Sequence, residues 1–178
     1  FPKMVDIRRD LHQNPELGHE EVRTPELIAD YLRELGIEVR TEVGGRGVVG
    51  TLRGGKVGKT VALRADFDAL PLQDEKDWAP YQSTIANKMH ACGHDGHTAT
   101  LLGVATVLAK HREELEGTVV FVHQFAEEVP PGGAKPMIED GCLDGVDVIY
   151  GAHLSSLSPL GEIGYREGYK SAAADAFD

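Results

Sequence analysis

Eleven residues, Met89-His90-Ala91-Cys92-Gly93-His94-Asp95-Gly96-His97-Thr98-Ala99, hold one thiol, three imidazoles and a carboxylate, with two glycines keeping the backbone open. Thiolate and imidazole are good ligands for borderline divalent cations, and a loop this dense in them suits a metal site. Three further groups stand just beyond apolar runs: Asp66 after Val61-Ala62-Leu63, Glu127-Glu128 after Thr118–Phe125, and His153 after Val146–Ala152. If those runs are parallel strands, their C-terminal ends share one edge of a sheet, where open α/β folds put their sites. Cys, His, Glu and His are thereby predicted to converge. One glutamate of the pair can hold metal while its neighbour takes a proton from water, as general-base chemistry requires.

Each residue also has a plainer use. A lone cysteine is usually a small buried hydrophobe, which is the reading adopted for Cys142. Adjacent glutamates are usually solvated surface, and a single histidine such as His153 is more often a satisfied core residue. Only the common position after buried strands favours chemistry for them. His12, His19 and His111 lie among charged helical residues and are predicted to be exposed. His90, His97 and His123 are expected to hydrogen-bond ligands or carboxylates.

The elements that must position these groups are legible from hydrophobic period. Met4, Ile7 and Leu11 mark a first helix ended by Asn14-Pro15. Thr24-Pro25 reads as N-cap and first residue of a second helix, with Leu27, Ile28, Tyr31, Leu32 and Leu35 on one face and Gly36 to stop it. Alternation at Ile37, Val39, Thr41 and Val43 predicts a strand, Gly44-Gly45 a turn, and Gly47–Leu52 another strand. Residues 54–58 read as a loop, without the Gly-Lys-Ser/Thr ending of a phosphate-binding turn. Three continuous apolar runs then predict strands buried on both faces. A helix over Thr98–Ala109, apolar on most sides and so expected to be buried, and a short one around Met137-Ile138 connect them. The predicted class is α/β, a mostly parallel sheet with crossover helices on both faces.

At 178 residues the chain has room for one domain. A net charge of −11 with no Lys/Arg cluster argues against nucleic acid. No apolar run reaches the ~20 residues of a membrane span. Phe1-Pro2-Lys3-Met4 lacks the regions of a signal peptide, and two isolated cysteines fit a reducing compartment, so the expected location is the cytoplasm.

Several segments together resemble one family: Arg9-Asp10-Leu11-His12 with Asn14-Pro15-Glu16-Leu17, Leu63 through Pro71, Met89 through Ala99, Ala126-Glu127-Glu128 with Gly132-Gly133-Ala134, and Gly151-Ala152-His153. It is that of the metal-dependent amidohydrolases of the aminoacylase and carboxypeptidase type. Within it, the chain is most similar to hippurate hydrolases, N-acyl-amino-acid amidohydrolases and indole-acetyl-amino-acid hydrolases. The resemblance implies two divalent ions (zinc, manganese, cobalt or nickel) held by Cys92, His94, Glu128 and His153. It implies Glu127 as general base, Asp66 as the carboxylate that orients the site, and an N-acyl amino acid as substrate. Arg64 stands where other relatives have a metal-binding histidine, so it is not expected to be a ligand. The family carries one more ligating histidine and a lid domain through which it dimerises. The chain's last residues, Ala174–Asp178, read as the entry into that lid, so residues 1–178 are expected to be the N-terminal portion of a catalytic domain and poorly active alone. Two other readings stay open: a thiol hydrolase with Cys92 as nucleophile and a histidine as base, and a metal-binding relative without catalysis.

Overall fold

The computed structural model describes residues 1–168, so the strand expected at Ala174–Asp178 lies outside them. Helix α1 (Pro2–Gln13) buries Leu11, and α2 (Arg23–Glu34) buries Ile28, Ala29 and Leu32. The start of α2 differs from expectation. The helix begins at Arg23, Thr24 is buried in its first turn, and the cap is a distant carboxylate. Glu16 Oε1 accepts the N–H groups of Val22 and Arg23 at 3.0 and 2.9 Å, and Oε2 that of Thr24 at 2.8 Å. A carboxylate can satisfy three orphan donors where a hydroxyl satisfies one, and its charge faces the positive end of the helix dipole. Burial alone would raise the Glu16 carboxyl, but these three bonds hold it below the usual range.

Five strands follow: β1 (Glu38–Val43), β2 (Gly47–Arg53), β3 (Lys56–Asp66), β4 (Glu116–Gln124) and β5 (Val148–Gly151), in the spatial order β1-β2-β4-β3-β5. β1 and β2 form an antiparallel hairpin, and β2 runs antiparallel to β4. β3 is parallel to both β4 and β5. The class is α/β as expected, but the sheet is mixed rather than mostly parallel. A turn as tight as the one at Gly44-Gly45 can join only antiparallel strands, whereas parallel neighbours need a long crossover. Two crossovers exist, through α3 (His94–Lys110) and α4 (Ala134–Glu139), so the parallel part is confined to β3, β4 and β5. The loop predicted over 54–58 is shorter than that, since β3 already begins at Lys56, opposite Glu116.

α1, α2 and α3 pack together over one face, α2 against β1 and β2, and α3 against β3 and β4. There Phe121, fully buried, meets Leu32 and Ile37 around Gly50. α4 lies on the other face, beside Val122 and Gln124, which alternate with Phe121 and His123 along β4. Two predicted burials fail at the periphery. β5 is an exposed edge strand because no described element covers it, and α3 leaves Val107 57% exposed because only its sheet-facing side is covered. Among the described residues no helix is long and apolar enough to cross a membrane.

Candidate metal centre

The register of the parallel strands fixes where the chemistry sits. Asp66 at the end of β3 pairs with Gln124 at the end of β4, and Arg64 with Gly151 at the end of β5. The segments leaving these strands (Asp66 to Asp68, Ala126 to Glu128, and His153) therefore start from one edge. Gly93, at φ +88°, lets the chain turn from Cys92 directly into α3, so that His94 and His97 occupy its first turn. Thr98 Oγ1 donates to the Asp66 carbonyl at 3.0 Å and ties that turn to β3.

The six predicted site residues come together at this edge. The ligating atoms of Cys92, His94 and His153 lie within 4.8 Å of one another, as do those of His94, Glu127 and Glu128, and of Asp66, His94 and His97. His94 is common to all three groups. Its Nε2 is 3.6 Å from Glu128 Oε1, and although both atoms are buried, neither has a hydrogen-bond partner. Its Nδ1–H donates to Asp68 Oδ1 at 3.1 Å, which leaves the Nε2 lone pair facing Glu128. His153 is arranged alike: Nδ1–H donates to the Leu154 carbonyl at 2.6 Å, and Nε2 faces Cys92 Sγ at 3.3 Å.

A divalent cation fits this arrangement. Unpartnered buried acceptors are costly unless something binds them, and here a donor set of imidazole, thiol and carboxylate surrounds them. Four carboxylates, those of Asp66, Asp68, Glu127 and Glu128, gather near His94. Burial alone would lower the His94 pKa, but the Asp68 hydrogen bond and the charges of Asp66, Asp68 and Glu128 raise it. At Cys92, burial, the hydrogen bond to Glu128 and the charges of Glu128, Glu127 and Asp66 push the thiol up to about 12.

Not every histidine of the loop is available. His97 Nδ1–H donates to Asp66 Oδ1 at 2.6 Å while its Nε2 accepts the Leu154 N–H at 2.9 Å, so both ring nitrogens are engaged and it supports rather than ligates. Leu154 also packs on Gly96, where a Cβ would come within 2.5 Å of its Cδ1. The Leu154 side chain thereby lies over the first turn of α3, one residue after His153. Burial opposes ionisation of Asp66, but the His97 bond, the nearby His94 and the Arg64 guanidinium outweigh it and hold the carboxyl at about 2. Arg64 is fixed from the other side by Gln124 Oε1, which accepts from Nε at 3.0 Å and Nη2 at 2.8 Å. Its Nη1 pairs with Asp66 Oδ2.

Two residues were not legible as site members. Asp68 accepts from His94 with Oδ1 and from the Glu128 N–H with Oδ2 at 2.9 Å, so one carboxylate orients two candidate ligands. Its spacing of two from Asp66 in an extended segment was the available signal. His12, predicted exposed, is buried: its Nδ1 is 2.6 Å from Asp95 Oδ2 and its Nε2 3.4 Å from Asp74 Oδ2. Helical periodicity placed it on a polar face without revealing that α3 delivers a carboxylate there. His90 lies beside it, buried, and His123 is enclosed in the core; neither hydrogen-bonds a ligand. His19 and His111 are exposed, and Cys142 is in the core.

Comparison with known proteins gives a consistent picture. The model for peptidase family M20/M25/M40 matches residues 62–171. YhaA of Bacillus subtilis, named as an amidohydrolase, is 59% identical over 99% of this chain and 44% of its own length. The N-acyl-L-amino acid amidohydrolase of Geobacillus stearothermophilus is 42% identical over 98% of this chain and 47% of its own. The crystal structure of Bacillus subtilis YXEP, described as a dinuclear metal-binding peptidase of the M20 family, superposes with a TM-score of 0.88 at 42% identity, covering 94% of this chain and 47% of that one. The chain thus spans less than half the length of these relatives.

Proposed function

Because this chain belongs to peptidase family M20/M25/M40, we propose that it carries most of a divalent-metal site for hydrolysing the amide bond of N-acyl amino acids. The observation that carries the reading is the pair of buried, unpartnered atoms His94 Nε2 and Glu128 Oε1, 3.6 Å apart at the strand edge with Cys92 and His153 beside them. Cys92, His94, Glu128 and His153 would hold two ions, of a kind such donors suit: zinc, manganese, cobalt or nickel. When bound, the ions polarise the scissile carbonyl and lower the pKa of water. Glu127 is the exposed member of the pair, and Glu128 is the one whose Oε1 faces His94 Nε2. The Glu127 carboxylate takes a proton from the attacking water and returns it to the leaving nitrogen. Asp66 keeps His97 and the first turn of α3 in place, and Asp68 holds the His94 ring in the tautomer that presents Nε2. The N-acyl amino acid substrate rests on what the Geobacillus relative is named for.

Chelation of the full-length protein followed by dialysis is expected to remove hydrolysis of N-acetyl amino acids, and one of the four ions to restore it. Full activity in protein shown to be metal-free would contradict the reading.

The Cys92–His153 contact of 3.3 Å also favours a thiol hydrolase, because it has the form of a nucleophile and its base. The electrostatics oppose it. Burial, together with three neighbouring carboxylates, holds the thiol at about 12, far above the ordinary ~8.5, so almost none is thiolate at neutral pH. Reaction of metal-free Cys142→Ala protein with iodoacetamide should therefore quicken about tenfold per pH unit up to pH ~10 without levelling. A plateau by pH ~9 would mark an activated thiol and favour the thiol mechanism.

A further inference from the structure

Glu21 is fully buried, yet it lies on a loop between α1 and α2, outside the cluster around His94. Its Oε1 accepts the backbone N–H of Ala126 at 2.9 Å, across 105 residues of chain. Ala126 is the residue immediately before Glu127 and has φ +46°, a left-handed backbone that an alanine adopts only when its surroundings impose it. Its carbonyl is held as well, accepting the Gly133 N–H at 3.1 Å. Gly18 approaches from the same loop as Glu21, where a Cβ would come within 3.1 Å of Ala126 Cα. The bend at Ala126 is what sends the chain away from the line of β4 and carries Glu127 and Glu128 over the strand edge toward His94.

We propose that Glu21 is a positioning residue for the general base: through the Ala126 N–H it holds the bend that aims Glu127. The inference rests on the role given to Glu127 above. Its requirement is an acceptor at Oε1, not a charge. Oε2 has no hydrogen-bond partner, and the nearest cation atom, Arg46 Nε, is 4.0 Å away. Burial raises the Glu21 carboxyl to about 6, so an amide at this place removes a charge that the fold accommodates only at a cost.

Two variants of the full-length, metal-loaded protein separate acceptor from charge. Glu21→Gln keeps the reach and an acceptor oxygen; Glu21→Asp keeps the charge but is one methylene short. Turnover of an N-acetyl amino acid, metal stoichiometry and hydrogen exchange at the Ala126 amide are measured for each. The expected result is that Gln retains kcat within about threefold and keeps Ala126 protected. Asp is expected to lose about 10–100-fold in kcat with KM and metal content unchanged and Ala126 exchanging faster. Equal or greater loss in Gln than in Asp, or no loss in Asp, overturns the proposal. If Asp does not fold, Gln decides alone: loss of kcat or of Ala126 protection there overturns it. If the unaltered protein hydrolyses no N-acetyl amino acid, the functional reading fails, and Ala126 exchange still decides whether Glu21 holds the bend.

Discussion

Glu127→Gln is expected to lower kcat on an N-acyl amino acid by about 10²–10⁴-fold while the full-length protein keeps its full metal content. The side chain of Glu127 is exposed at the site, and its neighbour Glu128 is the one whose Oε1 faces His94 Nε2. Glutamine has the same shape and can still accept a hydrogen bond, but it cannot take a proton from water at neutral pH. The substitution therefore removes proton transfer and little else. Metal analysis beside the rate measurement makes the result decisive, because a variant that loses metal and rate together would make Glu127 a ligand. A variant that keeps both would leave no base in the mechanism.

His94→Ala is expected to reduce metal content to background and turnover with it. Its imidazole belongs to all three groups of candidate ligands, and no other side chain occupies its position between Asp68 and Glu128. Without the ring, Asp66, Asp68, Glu127 and Glu128 would face one another with Arg64 and His97 paired directly to Asp66 alone. Like charges brought together in a partly buried place repel. The variant should therefore also unfold at lower denaturant concentration than the metal-free parent protein. Inductively coupled plasma mass spectrometry after dialysis tests the first expectation: stoichiometric metal in His94→Ala would remove this residue from the ligand set.

Much of this arrangement could be read before any coordinates, because it depends on the ends of strands. Val61–Leu63 and Thr118–Phe125 identified β3 and β4, and counting to their ends located Asp66 and the Glu127-Glu128 pair. Residues close in sequence to a readable element were found. Those whose partners are remote were not. Asp68 carried no assigned role, His12 looked like an exposed helical residue, and Thr24 like a cap, because the carboxylates or imidazoles that define their surroundings come from 83 residues away in the case of His12 and eight in the case of Thr24. The mixed sheet has the same cause. A turn fixes the direction of the strand it joins, but nothing local says that β4 will insert between β2 and β3. Edge exposure of β5 is likewise a property of its neighbours, not of its apolar residues.

The Asp95 carboxylate draws α1 into this architecture. It is buried next to His94, and Arg8 Nε at 2.8 Å and His12 Nδ1 at 2.6 Å both meet its Oδ2. Peeling α1 away would leave that carboxylate without either partner at the foot of the ligand loop. The helix therefore cannot fray as a free terminus does; it opens together with the first turn of α3, as one cooperative unit. Any ion that binds only the closed loop lowers the population of that open state by mass action. Occupancy at one end of the sheet is thereby written into the opening equilibrium of the first dozen residues of the chain.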